Sequence, residues 1–273
     1  MSLGEQILLL LSRDPDSGDY TDAVDHSTID TALDGLRRAF PDLDVLIRGA
    51  AVADFGCGTG RQAIALARAG AAHVLGVDNN LRTLASAREL ALREGAADRV
   101  RFVPELNDEF ADSLDVVISQ NAFEHFEDPE AILRIMMAAL RPGGRILIAF
   151  GPPWYAPTGS HMHFFTRVPW VNLLFRESTV MRVRARYRSD GATRYEEVES
   201  GLNRMTVSRF ERIVRDCGLL PERREYTCVR GICALQYLPV LRELFINNVA
   251  CVLRKPDSTS SGTVSSAVAV TTA

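Results

Sequence analysis

The stretch VADFGCGTGR at residues 52–61 decides the fold of this chain, because it leads from an apolar strand through a glycine-rich turn into a helix. Its glycines, Gly56, Gly58 and Gly60, carry no Cβ, so a ligand can approach their backbone closely. The backbone N–H groups of such a turn and the positive end of the following helix face a ligand at the carboxyl end of the strand. An acidic residue, Asp54, stands near the end of that strand. The stretch therefore predicts a ligand site at this edge of a sheet.

Apolar segments alternate with helical segments along most of the chain after residue 50. Before residue 151 the spacing predicts strands at 51–55, 73–77, 100–103, 114–119 and 145–150, and helices at 61–68, 81–93 and 129–140. After residue 205 it predicts a helix at 207–216, a strand at 225–229, a helix near 240–246 and a final strand at 250–254. Strands joined through helices run parallel, so the pattern indicates an α/β fold, a doubly wound sheet with helices on both faces.

Several segments depart from this alternation. Residues 1–50 are a predicted N-terminal helical segment that precedes the main domain, 51–255. Residues 151–205 are rich in proline and aromatic residues and predict an inserted substrate cap after the fifth strand. Within the cap, arginines alternate with other residues over 182–188, and this period of two predicts an edge strand that turns into a second strand. Residues 256–273 are half serine and threonine, which predicts a disordered tail.

Composition narrows the range of partners. The 273 residues carry a net charge of −4, and the first 150 hold 14 arginines against 24 acidic residues, which argues against nucleic acid as a partner. No apolar run reaches the roughly 20 residues of a membrane span, so no membrane partner is expected. Five scattered cysteines match no common zinc spacing and indicate reduced thiols. We therefore expect a cytoplasmic protein.

A second acidic residue supports a binding role for the glycine turn. Asp78 follows the next strand, 24 residues after Asp54, where a carboxylate can bind both hydroxyls of a ribose. Arg61 stands where the dinucleotide fingerprint has its third glycine, which disfavours an NAD-dependent oxidoreductase. The structural alternative is that both acids only cap strand-to-helix turns.

Five motifs follow one another in the first part of the domain. They are DFGCGTG at 54–60, VD at 77–78, LDVVI at 114–118, EHF at 124–126 and LRPGGRILI at 140–148. With them the chain resembles the class I S-adenosylmethionine-dependent methyltransferases of the small-molecule type. The resemblance implies a Rossmann-like, doubly wound sheet of seven mostly parallel strands with the last strand antiparallel. It also implies S-adenosyl-L-methionine as cofactor and S-adenosyl-L-homocysteine as product.

The same resemblance implies a set of cofactor-binding residues. The glycines would lie under the methionine part of the cofactor, Asp54 would orient its amino group, and Asp78 would bind the ribose. Glu105, with Asp108 as the alternative, would lie on the adenine side. The complete set is Asp54, Gly56, Gly58, Gly60, Asp78, Asn79, Glu105, Gln120 and Asn121.

Histidines supply the candidates for catalysis. Methyl transfer to a hydroxyl needs a base that removes the proton, and histidine is the usual base near neutral pH. His161 and His163 lie in a glycine- and aromatic-rich loop after the fifth strand, and His125 follows the fourth strand. Alternatively, these imidazoles only hold their loops through hydrogen bonds. A metal site would also need a carboxylate such as Glu124, and we assign no metal.

These observations predict an S-adenosylmethionine-dependent methyltransferase with a small-molecule acceptor. A histidine-rich cap loop suits O-methylation of a small metabolite or of a glycosyl-type hydroxyl. N- or C-methylation and a non-catalytic cofactor-binding module remain the alternatives. Nucleic acid is not expected as the acceptor, since SQNA at residues 119–122 replaces the Asn-Pro-Pro-Tyr type of element after the fourth strand.

Overall fold

A computed structural model describes most of the chain. The described residues are 1–15, 28–198, 201–229, 238 and 241–257. The predicted disordered tail lies outside them, apart from residues 256 and 257, and so does Cys233. Within the described ranges, no helix combines the length and the apolar character needed to cross a membrane.

A seven-stranded sheet forms the centre of the molecule. Its strands are β1 (Ala51–Phe55), β2 (His73–Val77), β3 (Val100–Val103), β4 (Leu114–Gln120), β5 (Leu140–Phe150), β6 (Leu220–Cys228) and β7 (Ile246–Arg254). They lie in the order β3-β2-β1-β4-β5-β7-β6. The first five pair in parallel, and β7 is antiparallel to both β5 and β6. The predicted fold class, including the antiparallel last strand, is confirmed.

Helices of the chain cover both faces of this sheet and form part of the cap. They are α1 (Leu3–Leu10), α2 (Asp34–Ala39), α3 (Leu43–Ile47), α4 (Arg61–Arg68), α5 (Leu81–Arg93), α6 (Pro129–Ala139), α7 (Val171–Leu174), α8 (Glu177–Arg184), α9 (Val207–Asp216) and α10 (Arg242–Phe245). Because side chains alternate along a strand, Val52 and Ile118 pack with α2–α5, whereas Ala53 and Val117 pack with α6 and α9. Two apolar layers result, and the order β1-β4 at the centre leaves a crevice at the carboxyl ends of the strands.

The cap is helical, so the predicted edge strand at 182–188 is wrong. Residues Glu177–Arg184 form α8, and the second strand is replaced by a 3₁₀ turn at Tyr195–Glu197. The alternating arginines misled the prediction, because Arg184 turns inward whereas Arg182 and Arg186 stay exposed. Arg184 is 5% exposed, and its guanidinium binds both carboxylate oxygens of Asp190 at 2.6 Å.

The N-terminal segment is divided between two parts of the molecule. Leu8 of α1 is fully buried in a third apolar cluster, whose other members belong to the cap. Helices α2 and α3 instead pack on the sheet, through Leu36, Leu43 and Ile47. Helix α1 thus belongs with the cap, and helices α2 and α3 belong with the sheet.

Candidate active site

The glycine turn lies directly above the end of β2. The N–H groups of Gly56 and Cys57 both donate to the carbonyl of Val77, at 2.8 and 3.0 Å. Gly60 has a φ of +79°, and a Cβ at this position would stand 2.7 Å from Phe102. Only glycine fits there without moving a buried ring, because both the backbone conformation and the space exclude a side chain. Gly56 and Gly58 also adopt positive φ, so all three predicted glycines belong to one turn.

Asp78 fastens this turn to the second strand. Its Oδ2 accepts the N–H of Gly58 at 2.9 Å, and its Oδ1 accepts the N–H of Asn80 at 2.8 Å. The carboxylate therefore performs the structural role that the sequence left open, while remaining half-buried at the crevice. Asn79 is exposed next to it.

Asp54 is a buried acid whose hydrogen bonding is incomplete. It is 1% exposed, and its Oδ1 accepts a hydrogen bond from Nε2 of Gln62 at 2.7 Å. Its Oδ2 has no hydrogen-bond partner among the residues that the structure describes. Burial raises the pKa of this carboxyl to about 7, against the opposing hydrogen bond from Gln62, and the nearby Asp78 adds to the rise. A buried acceptor without a donor is costly, so the geometry favours a cationic or N–H-bearing group beside Oδ2.

A cavity of about 540 Å³ opens beside these residues. Asp54, the glycine turn, Gln120 and Asn121 line one wall, and residues of α2 line the other, among them Gly35 and Arg38. Gly35 approaches the sheet closely, because a Cβ there would stand 2.6 Å from Nε2 of Gln120. The sequence patterns did not predict this second wall. The glycine within the short helix α2 is the feature of the sequence that could have indicated it.

The remaining predicted binding residues divide into two groups. Gln120 is half-buried at the end of β4, and Asn121 follows with a φ of +51° and donates its N–H to Ala149 at 2.8 Å. Both line the cavity. Glu105 is exposed beyond β3 and does not line it, and Asp108, the alternative, is also exposed.

Two of the three candidate histidines contact each other. The rings of His125 and His161 meet edge-to-face with centroids 5.4 Å apart. Nδ1 of His125 lies 2.7 Å from the carbonyl oxygen of Gly201, which can only accept, so Nδ1 carries the proton. His163 is exposed, in a 3₁₀ turn that follows His161.

His161 is held in an unusual environment. Its backbone is left-handed, with a φ of +57°, and its Nε2 is buried without a hydrogen-bond partner in the described part of the chain. Burial lowers the pKa of the imidazole to about 4, and the neighbouring His125 and His163 lower it further. The ring is therefore neutral at physiological pH.

Glu124 lies under the histidines as a buried carboxyl group. It is 3% exposed, Oε1 accepts the N–H of Gly151 at 3.3 Å, and none of the described residues donates a hydrogen bond to Oε2. Burial raises its pKa. No cluster of three or more potential metal ligands occurs among the residues that the structure describes.

Asn203 ties the end of the cap to the turn that carries His125. Its Nδ2 donates to the carbonyls of Phe123 and Phe126 at 2.9 and 2.8 Å, and its backbone N–H donates to the backbone carbonyl of Glu124 at 3.0 Å. The position of His125 thus depends on a contact between the two parts of the molecule. The sequence offered only the location of Asn203 at the end of the cap.

A second cavity, of about 830 Å³, lies beside this turn. His125, Asn79 and Asn203 contribute to its lining, together with the acidic residues Glu127, Asp128 and Glu196. The cavity is large enough for a small molecule, since such ligand sites commonly measure about 300–1,000 Å³.

Comparison with known proteins identifies the central part of the chain. Residues 53–148 match the family described as "Methyltransferase domain". The ubiquinone biosynthesis O-methyltransferase of Aeromonas salmonicida is 36% identical over 105 residues, which are 37% of this chain and 43% of that protein. The chain spans about half the length, or less, of the curated relatives that it matches first.

Solved structures show the same fold at low identity. An S-adenosylmethionine-dependent methyltransferase from Mesorhizobium loti superposes with a TM-score of 0.53 and 22% identity, over 82% of this chain and all of that one. The [4+2]-cyclase SpnF superposes with a TM-score of 0.54 and 17% identity, over 93% of both chains. Because the same fold occurs in a methyltransferase and in a [4+2]-cyclase, the fold alone does not show which reaction a chain catalyses. The proposed reaction therefore depends on the residues of the site.

Proposed function

We propose that this chain, which carries a class I S-adenosylmethionine-dependent methyltransferase domain, methylates a hydroxyl group of a small molecule with His125 as general base. The coarser part follows from the matched domain and the fold. The observation that carries the finer part is the bond between Nδ1 of His125 and the carbonyl of Gly201. The name of the Aeromonas relative, an O-methyltransferase, supports it.

The first cavity fits S-adenosyl-L-methionine. The unpartnered Oδ2 of Asp54 would accept the cofactor's ammonium group, and the glycine turn leaves its backbone open to close approach. Arg38 of α2 lines the same cavity and would form an ion pair with the carboxylate group of the cofactor. The cofactor supplies, when bound, an electrophilic methyl group on sulfur. The ribose assignment of Asp78 rests on its half-buried position next to Gly58.

His125 is the imidazole best prepared to take a proton. Because the carbonyl of Gly201 fixes the proton on Nδ1, Nε2 keeps its lone pair for the acceptor hydroxyl. A useful base has a pKa near the working pH, and His161, with its pKa lowered to about 4, holds a proton too weakly. The neutral ring of His161 instead packs against His125 and limits its rotation. His161 is therefore a positioning residue in this proposal, and His163 is not required.

The second cavity is the proposed acceptor site. It adjoins His125 and offers amide groups from Asn79 and Asn203. Of its acids, Glu196 already pairs with Arg204 at 2.7 Å and Asp128 accepts the N–H of Ala131. Such a lining suits a polar acceptor with several hydroxyl groups.

The test compares His125→Asn with His73→Gln, an exposed histidine at the start of β2. Both variants are assayed for S-adenosyl-L-homocysteine binding by calorimetry and for methyl transfer to panels of phenols, polyols and amines. We expect His125→Asn to bind like the wild type and to lose about 10²–10⁴-fold in kcat with a hydroxyl acceptor. Full activity of His125→Asn, or transfer only to amines, would contradict the assignment. If folded wild-type protein does not bind S-adenosyl-L-homocysteine, the assignment of S-adenosyl-L-methionine as cofactor would be contradicted as well.

A further inference from the structure

Helix α1 exposes one apolar face to solvent. Leu3, Ile7, Leu10 and Leu11 are 72%, 43%, 86% and 52% exposed. Their spacing places them on one side of the helix, whereas Leu8 on the opposite side is fully buried in the cap. Neighbouring apolar side chains that are exposed together often mark a surface that contacts a partner. We therefore expect the exposed face of α1 to be covered by one. We name these four residues, with Met1, the α1 face.

The apolar surface extends along the neighbouring part of the cap. Gly4 of α1 lies against the junction of α7 and α8, since a Cβ there would contact Phe175 and Thr179. Leu173 and Leu174, just before this junction, are 45% and 65% exposed. The exposed leucines thus belong to α1 and α7, two helices that both pack against α8.

Arginine side chains border the α1 face. The guanidinium of Arg182 binds Glu5 at 2.5 Å while remaining 57% exposed, so it neutralises the one acid of the helix. Arg186 contacts the sulfur of Met1 at 3.0 Å, and Arg13 follows the helix as an exposed residue. The cap carries eight arginines against five acids, opposite in sign to the first 150 residues. Asp14, the exposed residue that follows Arg13, carries the opposite charge.

We infer that the α1 face docks on an anionic lipid bilayer. Leucines and isoleucine at this spacing enter the boundary between headgroups and acyl chains, while arginines beside them bind the phosphates. The helix has eight residues, so it would lie along the surface and not cross it. The expectation of no membrane partner rested on the lack of a span, which a peripheral surface does not need. The inference is independent of the proposed acceptor.

The test is co-sedimentation of the full chain with vesicles of phosphatidylcholine, alone or with phosphatidylglycerol. Leu10→Gln/Leu11→Gln removes two residues of the α1 face. Its matched control is Leu81→Gln/Leu92→Gln on α5, where the side chains are 67% and 69% exposed. We expect the wild type and the control to bind phosphatidylglycerol vesicles, and the α1 variant to bind them at least about tenfold more weakly. S-adenosyl-L-homocysteine binding should be the same in all three proteins.

Three results would overturn the inference. The first is wild-type binding that is absent or equal with both kinds of vesicle. The second is an equal loss in the α5 control, which would exclude the α1 face as the contact. The third is a dimer in sedimentation velocity that Leu10→Gln/Leu11→Gln dissociates without any vesicle binding, which would assign the face to a second copy of the chain. Weaker binding of Arg186→Gln, most evident at low salt, would support the electrostatic part.

Discussion

Replacing Asp54 by asparagine is expected to change how the stability of the ligand-free protein depends on pH. Burial raises the pKa of this carboxyl from 3.8 to about 7. The unfolded chain therefore releases the proton at lower pH than the folded chain does. The stabilising contribution of Asp54 is complete below pH 3.8 and is lost as the pH rises to about 7. At about 1.4 kcal/mol per pKa unit, the loss amounts to about 4 kcal/mol at pH 8 and about 2 kcal/mol at pH 5.

Asparagine keeps the acceptor for Gln62 but never ionises, so this pH-dependent loss disappears in the variant. The new N–H₂ group lacks an acceptor, at a cost of about 1–3 kcal/mol that is the same at both pH values. The free energy of unfolding of Asp54→Asn, relative to wild type, should thus rise by about 2–3 kcal/mol between pH 5 and pH 8. Urea titrations at both pH values measure this difference.

The matched control is another buried carboxylate whose two oxygens both have donors. Glu243 accepts the N–H groups of Val207 and Ser208 at 2.9 and 2.7 Å, at the start of α9. Glu243→Gln should lose about 1–3 kcal/mol because one N–H is left without an acceptor. A relative stability of Asp54→Asn that does not change between pH 5 and pH 8 would refute the reasoning about burial.

Three further outcomes are expected. The affinity of the wild type for S-adenosyl-L-homocysteine, measured by calorimetry, should fall about tenfold per pH unit below 7, because protonation removes the negative charge of Asp54; a flat profile would disagree. Asp78→Ala should weaken the same binding at pH 7.5, because the turn at Gly58 loses its acceptor; unchanged affinity would exclude this residue. Gly60→Ala should cost about 3 kcal/mol in urea unfolding through its positive φ and its contact with Phe102, and Gly95→Ala, with positive φ but open space, only about 1 kcal/mol; equal costs would refute the packing argument.

The central sheet followed from local patterns because each strand-to-helix unit carries its own signal. That Asp54, Asp78 and the glycines lie near one another could be predicted, because the turn must lie at the carboxyl end of β1, wherever the rest of the chain goes. The family resemblance then implied seven strands with the last one antiparallel, and the structure adds the order of the strands in the sheet. These features depend on neighbours in sequence or on a repeated supersecondary unit.

The second wall of the cofactor cavity and the structure of the cap depend on distant contacts. Arg38 reaches the cavity because α2 packs on the sheet through apolar residues far from the glycine turn. Arg184 is buried because Asp190 neutralises it, and no periodicity reveals that pair. The orientation of His125 requires the carbonyl of Gly201, 76 residues later. A single sequence contains these residues but not their pairing.

Helix α1 and the cap share one apolar core, so an exchange of the cap between related proteins has to include α1. Leu8 fills that core, residues 12 and 166 form a bridge, and Tyr187 donates its hydroxyl to the carbonyl of Arg13 at 2.5 Å. A chimera that exchanged residues 151–205 alone would leave a leucine-sized void or a clash, and a void of this kind costs about 2–5 kcal/mol. The exchangeable unit is therefore discontinuous in the chain: residues 1–15 must travel with the cap, while the cofactor half stays behind.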